Sequence, residues 1–492
     1  MQIQLDSVSP LSIQADALIT FAFEKEDPLE GPLAEFDRAT SGRLRELAAA
    51  HELTGKWLEM VLLHYPAGVQ AKRLLIVGAG KPEKFGNGEL RRLAGAALRH
   101  LKSRGAKRVA FLLREPRQDA GAVQLVAEGL LLAELDLDKY KTDKKNSAGV
   151  EHAVILGATG DAARAIERAR IIAESENWAR DVANEPSNRL TPTVLAERAA
   201  EMARESGLEV AIYDEKQIEA MKMGALLGVA RGSAEPPRLI VLTYNPPAPK
   251  PGAPVLGLVG KAITFDTGGI SLKPSKAMDR MKYDMCGGVT MLAVMRAIAR
   301  LKPSIKVVAV VPSTENMPGG RAVKPGDILV SMSGKTIEVL NTDAEGRLIL
   351  SDGLFYARQL GATHLVDAAT LTGAIVVALS NVNVGVFGSQ DDFTRRFLDV
   401  ARAAGEKMWH MPVDDDYRDM MKSQIADLQN ISSGDGGGAS SAAAFLKEFT
   451  GELPWIHLDI AATAWLDDAK PWMAKGATGV AIRSLVDFTE TF

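Results

Sequence analysis

The sequence predicts an α/β fold in two domains, a smaller N-terminal domain and a larger C-terminal domain with a central mixed sheet flanked by helices. The chain has 492 residues, more than a single hydrophobic core usually accommodates. Short apolar segments alternate with helical patterns along the chain, as in domains built on a largely parallel sheet. In the C-terminal part several of these segments are continuously apolar, as expected for strands buried on both faces.

The composition is that of an ordinary globular protein. Hydrophobic residues make up 46% of the chain and charged residues 24%, and the formal net charge is -4. This charge gives no electrostatic reason to expect nucleic acid or an anionic membrane as the main partner. Cys286 is the only cysteine, so neither a disulfide within the chain nor a thiolate-rich metal site is expected. The N-terminal residues lack a signal-peptide pattern, and no apolar run approaches the ~20 residues of a bilayer span, which predicts a cytoplasmic protein.

The N-terminal α/β domain is assigned to residues 1–160. Four apolar segments in it have the length and composition of strands, and the pattern at 88–105 is that of a helix. Charged and polar residues at 136–149 predict an exposed loop. The predicted strands are 17–23, 73–80, 108–113 and 152–159.

Residues 161–190 are interpreted as a linking helix and the junction between the domains. A helical pattern covers 161–183, and turn residues follow it. A new helix is then predicted to begin with Thr191 as its N-cap and Pro192 in its first position. The larger C-terminal domain is assigned to residues 191–492.

Seven apolar segments of the C-terminal domain are predicted to be strands. A Pro/Gly-rich loop at 245–254 separates the first two. The strands are RLIVLTY (238–244), VLGLVG (255–260), VVAVVPS (307–313), TIEVL (336–340), THLVDAA (363–369), VGVFGS (384–389) and WIHLDIA (455–461).

Several common functional motifs are incomplete or absent in this sequence. The segment ILGATGDAARA at 155–165 lacks the full glycine pattern of a dinucleotide-binding loop. No G-x-S-x-G nucleophile elbow is present, and the seven histidines form no H-E-x-x-H motif or other pair at metal-binding spacing. Histidine-rich metal sites and nucleophile-elbow serine hydrolases are therefore not predicted.

Two acids and a guanidinium crowd the segment NTDAEGRL at 341–348, directly after the predicted strand TIEVL. On an extended backbone Asp343 and Glu345 would point to the same side, beyond the carboxyl end of a strand, where open α/β sheets place their sites. Two carboxylates this close raise each other's pKa unless a cation holds them. The alternative, an exposed acidic turn paired with Arg347, fits a turn between two apolar segments poorly. A bound divalent metal is therefore predicted.

A second cluster of charged residues lies upstream, at 259–288. Its lysines and acids are Lys261, Asp266, Lys273 and Asp284. Glycines that would let the backbone approach a ligand are Gly268, Gly269, Gly287 and Gly288. Carboxylates with few or no imidazoles indicate two clustered divalent ions rather than a lone structural zinc. The residues alone predict a two-metal hydrolase and leave open whether it cleaves a peptide or a phosphoester bond.

Together these segments resemble the leucyl aminopeptidase (cytosol aminopeptidase) family. NTDAEGRL at 341–348 is similar to the family's signature octapeptide, and the segment at 259–288, from VGKAITFDTGGISLKPS to MKYDMCGG, keeps the family's spacing. NEPSNRLTP, ENMPGGRAVKPGDI, DAATLTGA and HLDIA also resemble family segments. The resemblance covers about 180–490, and the N-terminal domain fits by its size and α/β pattern.

The resemblance implies a metal-dependent aminopeptidase that removes N-terminal amino acids from short peptides with a free N-terminus. It implies two divalent ions per subunit, Mn or Zn with Co or Mg as alternatives, and a bicarbonate ion. The residues that match the family's metal ligands are Lys261, Asp266, Asp284, Asp343 and Glu345, with Asp266 and Glu345 bridging the ions. Lys273 and Arg347 match its catalytic residues. Lys273 would stabilise the gem-diolate, and Arg347 would hold the bicarbonate that acts as general base.

The resemblance also implies a side-chain pocket and an assembly. The positions that line or approach the family's pocket are Met281, Thr370, Leu371, Thr372, Gly373, Ala461 and Ala464. The family forms hexamers of two stacked trimers, so a homohexamer is expected. Some relatives bind DNA as architectural proteins, which leaves a secondary DNA-binding role open.

Two other function classes remain open at this point. A two-metal phosphoesterase would need several basic residues to clamp a phosphate, and the two clusters supply mainly Lys273 and Arg347. A non-catalytic nucleic-acid-binding protein would need a basic stripe, which a net charge of -4 does not favour.

Overall fold

The computed structural model describes residues 1–28, 30–143, 149–249 and 252–492. Residues 144–148 of the predicted loop at 136–149, and residues 250–251 of the predicted loop at 245–254, lie outside the described residues. Among the described helices, none combines the length and the apolarity that a bilayer span requires.

The first compact unit consists of Met1–Glu174 together with Asp468–Lys475. Its strands are β1 (Gln2–Asp6), β2 (Ala17–Phe23), β3 (Met60–His64), β4 (Arg73–Gly80), β5 (Arg108–Leu112) and β6 (His152–Leu156). Its helices are α1 (Leu33–Ala39), α2 (Arg43–Ala49), α3 (Asn87–Lys102) and α4 (Ala120–Ala133), with 3-10 helices at Pro10–Ser12 and Pro82–Lys84. A long helix, α5 (Ala163–Ala183), begins in this unit and ends in the second.

The sheet of the first unit has the order β1-β6-β5-β2-β4-β3 and is parallel except for the antiparallel β3–β4 pair. The four strands predicted here, and the helix predicted at 88–105, are all present. Strands β1 and β3 and helices α1 and α2 were not predicted. The segments of β1, α1 and α2 mix polar and apolar residues over short lengths, and β3 is a five-residue apolar segment, MVLLH, that was overlooked.

The second unit consists of Ser175–Asp467 together with Gly476–Phe492. Its elements up to residue 301 are α6 (Pro192–Ser206), β7 (Glu209–Tyr213), α7 (Glu215–Ala220), α8 (Gly224–Ala230), β8 (Arg238–Tyr244), β9 (Val255–Gly260), β10 (Ala262–Asp266), a 3-10 helix (Met278–Met285) and α9 (Cys286–Leu301). Helix α6 begins as predicted, with Pro192 in its first position and the Thr191 hydroxyl accepting a hydrogen bond from the Val194 N–H at 3.4 Å.

The remaining elements of the second unit run from residue 306 to residue 489. The first of them are β11 (Lys306–Asn316), β12 (Asp327–Val330), β13 (Thr336–Val339), α10 (Glu345–Gln359), β14 (His364–Ala369), α11 (Gly373–Leu379), β15 (Val384–Gly388) and α12 (Asp391–Ala403). They are followed by β16 (Met408–His410), α13 (Asp415–Asp419), β17 (Leu428–Gln429), α14 (Gly438–Lys447), β18 (Trp455–Asp459), β19 (Trp465–Leu466), β20 (Gly476–Ala477) and α15 (Ile482–Thr489).

The central sheet of the second unit is mixed, as predicted. Its order is β16-β15-β18-β14-β9-β11-β8-β7, with β10 paired to β11. Strands β18, β14, β9 and β11 are mutually parallel, whereas β15, β8 and β7 are each antiparallel to a neighbour. Helices α9 and α10 pack against its middle strands. The predicted α/β fold with a mixed sheet flanked by helices is confirmed.

The carboxyl ends of the four parallel strands lie at one edge of the central sheet. Gly260 ends β9, Asn316 ends β11, Ala369 ends β14 and Asp459 ends β18. In the sheet register Ala369 pairs with Asp459, and Ala368 pairs with Gly260. Residues that follow these strands are therefore brought together at the position where open α/β sheets bind their ligands.

The strand TIEVL differs from the prediction in its location. It forms β13, which pairs with β12 and β17 in a separate small sheet rather than in the central sheet. The backbone turns after β13, and α10 begins at Glu345. The spacing of Asp343 and Glu345 suggested that both lie on one extended segment, and this prediction is wrong. The turn and the first residue of the helix bring them to the same place instead.

Candidate active site

Three of the predicted metal ligands come from the chain between β9 and α9. Lys261 directly follows β9 and is buried, Asp266 is the last residue of β10, and Asp284 lies on the 3-10 helix that precedes α9. The other two come from the turn after β13. Asp343 is half-buried there, and Glu345, which is 1% exposed, opens α10.

Lys261 connects two of these acids. Its Nζ lies 2.8 Å from Asp284 Oδ2 and 2.7 Å from Glu345 Oε1. The same amine donates a hydrogen bond to the Thr370 carbonyl oxygen at 3.0 Å. A lysine that is only 3% exposed is therefore held between two carboxylates at the carboxyl end of the central sheet.

Lys273 makes the corresponding contact with the other two acids. Its Nζ lies 2.9 Å from Asp266 Oδ2 and 2.5 Å from Asp343 Oδ1. The side chain keeps 22% of its surface exposed, so it is partly accessible to solvent. The four carboxylates thus form two pairs, each bound to one lysine.

The two pairs adjoin each other. Ligand oxygens of Asp266, Asp343 and Glu345 lie within 4.8 Å of one another. Asn316 connects the pairs directly, since its Nδ2 is 2.8 Å from Asp266 Oδ1 and 3.4 Å from Glu345 Oε2. The five predicted metal ligands and Lys273 therefore form one continuous cluster.

Glycines leave room for this cluster at two points. A Cβ at position 346 would lie 2.8 Å from Lys261 Nζ and 2.7 Å from the neighbouring side-chain carbons, so only glycine avoids displacing this lysine. Gly268 has a φ of +88°, and a Cβ there would lie 2.9 Å from Asp343 Oδ1. Gly287 and Gly288, predicted to give access to a ligand, instead allow α9 to pack closely, because Cβ atoms there would meet backbone and side-chain atoms of the central sheet.

Burial and charge strongly perturb the titration of these groups. Burial disfavours the charged form of Lys261, but the carboxylates of Asp284, Glu345 and Asp266 outweigh it and raise its pKa. The pKa of Lys273 is raised in the same way, against burial, by Asp266 and its neighbours. Burial, aided by the charge of Asp266, raises the pKa of Glu345 and of Asp284. Divalent cations would favour the ionised carboxylates and the neutral amine.

The residues fit divalent metal ions. Asp284 Oδ2 and Asp343 Oδ1 are buried and contact lysine amines, but neither has a partner with hydrogen-bond geometry within the described residues. The donors are carboxylate oxygens with one amine, and oxygen-rich donor sets suit hard divalent cations. Lys261 could bind a metal only as the neutral amine, which the charge of a nearby cation would favour.

Arg347 lies in the first turn of α10, next to the cluster. It is buried, and its Nη1 donates a hydrogen bond to the Asn430 carbonyl oxygen at 2.7 Å. Burial lowers the pKa of Arg347 to about 10, against the opposing charges of Glu345 and Asp459. Its Nε has no hydrogen-bond partner in the described part of the chain. A guanidinium with a free buried donor at a helix N-terminus suits a small anion.

Four of the seven predicted pocket residues donate hydrogen bonds to buried acids at the carboxyl end of the central sheet. The Thr370 hydroxyl donates to Asp284 Oδ1 at 2.6 Å, and Leu371, Thr372 and Ala461 donate to Asp459. Within the described residues no hydrogen bond joins the other three to the charged cluster, and their part in a pocket stays a prediction. They are Met281, half-buried on the 3-10 helix, Gly373 at the start of α11, and Ala464, which is 2% exposed.

Three buried polar residues at the site were not predicted. They are Asn316, which connects the two carboxylate pairs, Asn430, whose Oδ1 accepts hydrogen bonds from the Leu340 and Asn341 N–H groups before Asp343, and Asp459. The available signal was a polar residue at the end of an apolar strand. Asn316 and Asp459 both fit that description, and Asp459 lies in the segment HLDIA that resembles the family.

Both the N-terminal and the C-terminal part of the chain match known protein families. Residues 177–486 match the catalytic domain of the cytosol aminopeptidase family, and residues 19–144 match the N-terminal domain of the same family. The chain belongs to the cytosol aminopeptidase family. The predicted resemblance is therefore confirmed, and it extends to the N-terminal domain.

Relatives in this family align with almost the whole chain. A probable cytosol aminopeptidase of Koribacter versatilis is 48% identical over 514 aligned positions that cover 100% of both chains. One of Solibacter usitatus is 50% identical over 485 positions, covering 99% of this chain and 98% of the relative. The similarity to these relatives therefore extends over the whole chain and is not limited to the short motifs around the charged cluster.

Two solved structures have the same fold. A mutant of tomato leucine aminopeptidase superimposes with a TM-score of 0.91 at 33% identity, covering 100% of this chain and 97% of the other. The bottromycin maturation enzyme BotP in complex with Mn superimposes with a TM-score of 0.85 at 31% identity, covering 97% and 99%. Family membership makes this chain an aminopeptidase, a hydrolase of peptide bonds, which decides against the phosphoesterase alternative.

Proposed function

We propose that this chain removes N-terminal amino acids from short peptides by two-metal hydrolysis. The observation that carries the proposal is the pairing of four carboxylates around two lysines, with a buried arginine beside them, at the carboxyl end of the central sheet. Two adjoining pairs of acids suit two cations better than one. The substrate class follows from membership of the cytosol aminopeptidase family.

The proposed metal ligands are Lys261, Asp266, Asp284, Asp343 and Glu345. When bound, divalent ions would polarise the scissile carbonyl and lower the pKa of a water molecule. Mn is supported by the neighbouring BotP structure, which contains it, and Zn, Co and Mg are alternatives for the same oxygen-rich donors. Asn316 orients Asp266 and Glu345 through its amide and so keeps the two carboxylates directed at one point.

Lys273 is proposed to stabilise the gem-diolate. Its amine lies beside Asp266 and Asp343, whose carboxylates raise its pKa against the effect of burial. A fixed positive charge at the cluster would favour the transition state, in which negative charge develops on the carbonyl oxygen. The partly exposed side chain leaves access for a peptide.

Arg347 is proposed to hold the bicarbonate that serves as general base. The guanidinium is fixed by Asn430 through Nη1, while Nε remains a buried donor without a partner in the described residues. The N-terminal end of α10 adds a favourable dipole for an anion. The charge of Glu345, a proposed metal ligand two positions earlier in the chain, acts on the Arg347 guanidinium, which supports a role for Arg347 beside the metals.

The side-chain pocket is proposed at the loops after β14 and β18. Its residues are Met281, Thr370, Leu371, Thr372, Gly373, Ala461 and Ala464. A homohexamer and a cytoplasmic location are also proposed, the latter supported by the names of the cytosol aminopeptidase relatives. A DNA-binding role stays a prediction from the resemblance alone.

A panel of aminoacyl-arylamides tests the proposed function. Protein stripped of metal by a chelator should be inactive, and Mn, Zn or Co should restore cleavage of at least one substrate. Each preparation is checked for metal content, so that activity can be compared with occupancy. Full activity in protein verified to be metal-free, or no cleavage with any of Mn, Zn and Co, would contradict the proposal.

A further inference from the structure

Asp459 is the last residue of β18 and is fully buried. It pairs in register with Ala369, the last residue of β14. It therefore lies directly beneath the two loops that carry Leu371, Thr372 and Ala461. It does not belong to the predicted metal ligands or to the predicted pocket positions.

The Asp459 carboxylate accepts hydrogen bonds from both loops. Its Oδ1 accepts from the Leu371 N–H and the Ala461 N–H, both at 3.2 Å. Its Oδ2 accepts from the Thr372 hydroxyl at 2.6 Å. One buried side chain thus joins the loop after β14 to the loop after β18.

Thr372 connects Asp459 to the start of α11 through hydrogen bonds. Its hydroxyl donates to Asp459 and also accepts a hydrogen bond from the Ile375 N–H at 3.1 Å, which caps the helix. Because the hydroxyl hydrogen is committed to the carboxylate, the lone pairs of this oxygen are directed at the helix. The start of α11 is therefore fixed relative to β18.

Asp459 has no ion-pair partner among the described residues. Burial raises its pKa, which His457 and the hydrogen bonds from both loops oppose. A buried carboxylate without a contacting cation depends on its hydrogen bonds to offset the cost of desolvation. The hydrogen bonds from the two loops therefore stabilise the buried Asp459 side chain, and this side chain in turn holds the loops in place.

We propose that Asp459 is a positioning residue that fixes the wall of the side-chain pocket and so determines how strongly the enzyme discriminates between N-terminal residues. The inference rests on the proposed function, because the pocket is assigned to these loops. Discrimination by an apolar pocket depends on rigid walls, since a wall that can move accommodates side chains of different size. Asp459 acts through the loops and does not itself touch the substrate.

The test compares Asp459→Asn with a matched control. The amide can present its single oxygen either to the two backbone N–H groups or to the Thr372 hydroxyl, so at least one attachment is lost. Asp352→Asn is the control: Asp352 is also fully buried and also accepts three hydrogen bonds, in its case all from backbone N–H groups, those of Ala225, Leu226 and Met332, away from the pocket loops. Thr372→Val, which removes the hydroxyl, is the second test variant if Asp459→Asn fails to fold.

The readout is the ratio of kcat/KM between the best and the poorest arylamide of the panel, with the melting temperature and metal content measured on the same samples. Asp459→Asn, and Thr372→Val in the same direction, should narrow this ratio by about tenfold, the scale on which an apolar pocket separates side chains that differ by one methylene. Asp352→Asn should lower the melting temperature and leave the ratio unchanged.

An unchanged ratio in Asp459→Asn and Thr372→Val would overturn the inference. Equal narrowing in Asp352→Asn would also overturn it, because the effect would then follow general stability. A wild-type protein that cleaves no member of the panel would instead refute the proposed function, and the inference with it.

Discussion

Replacing Lys273 with methionine is expected to separate turnover from metal binding. Methionine keeps the unbranched stem and removes the ammonium that lies 2.9 Å from Asp266 Oδ2 and 2.5 Å from Asp343 Oδ1. With four carboxylates and two lysines ionised, the cluster carries a formal charge of -2 in the wild type, and the variant lowers it by one unit. A more negative cluster retains divalent cations at least as well, so metal should stay bound.

The expected loss is in turnover. In the proposed role, the charge of Lys273 stabilises the negative charge that develops on the carbonyl oxygen. Removal of one preorganised group that stabilises a developing oxyanion costs about 100- to 1,000-fold in kcat, or about 2.7–4 kcal/mol of transition-state stabilisation. We therefore expect kcat to fall by about that factor on the best arylamide, with two ions per chain unchanged.

The assay measures kcat and metal content, by atomic emission spectrometry, on one preparation. Lys335→Met is the matched control, since Lys335 is a partly exposed lysine that forms an ion pair with Glu448 outside the cluster. Its kcat should equal that of the wild type. Loss of both ions from Lys273→Met would show that Lys273 maintains the metal site, and an unchanged kcat would show that it does not act on the reacting group.

Three further predictions concern the metal site, the stability and the assembly. Glu345→Gln should lower metal content and rate together, because a buried carboxylate at the junction of the two pairs loses its charge; full metal content at a low rate would contradict its role as a ligand. Burial raises the pKa of Asp352 to about 7, so the folded state binds this proton more tightly than the unfolded state and the free energy of unfolding should decrease as the pH rises from about 4 to 7. Asp352→Asn should weaken this dependence of the free energy of unfolding on pH, as measured by denaturant unfolding at several pH values. An unchanged dependence would refute the raised pKa of Asp352. Light scattering after size-exclusion chromatography should give six chain masses, whereas a fully active monomer at nanomolar concentration would refute the hexamer.

The positions of the central strands could be predicted because buried parallel strands need continuous apolar residues. Strands β8, β9, β11, β14, β15 and β18 all begin within one residue of their predicted starts. Short strands such as β10, β12 and β17 were missed. Their pairing depends on partners distant in the sequence, which a local pattern does not reveal.

The grouping of the charged side chains could be predicted from the spacing of Asp343 and Glu345 and from the acids and lysines after β9. The reason given for it was partly wrong, because a turn and a helix start, and not an extended segment, bring Asp343 and Glu345 together. Asn316 and Asp459 could not be predicted by spacing. Each is isolated in the sequence and reaches the site because a parallel strand ends there.

The most direct test of the account is a titration of metal-free protein with Mn while cleavage of a leucyl-arylamide and of its N-acetylated form is followed. Two ions held by the paired carboxylates should bring activity to its maximum at two equivalents per chain, and only the substrate with a free amine should be cleaved. Full activity before any metal is added, or equal cleavage of the acetylated substrate, would contradict two-metal removal of N-terminal residues.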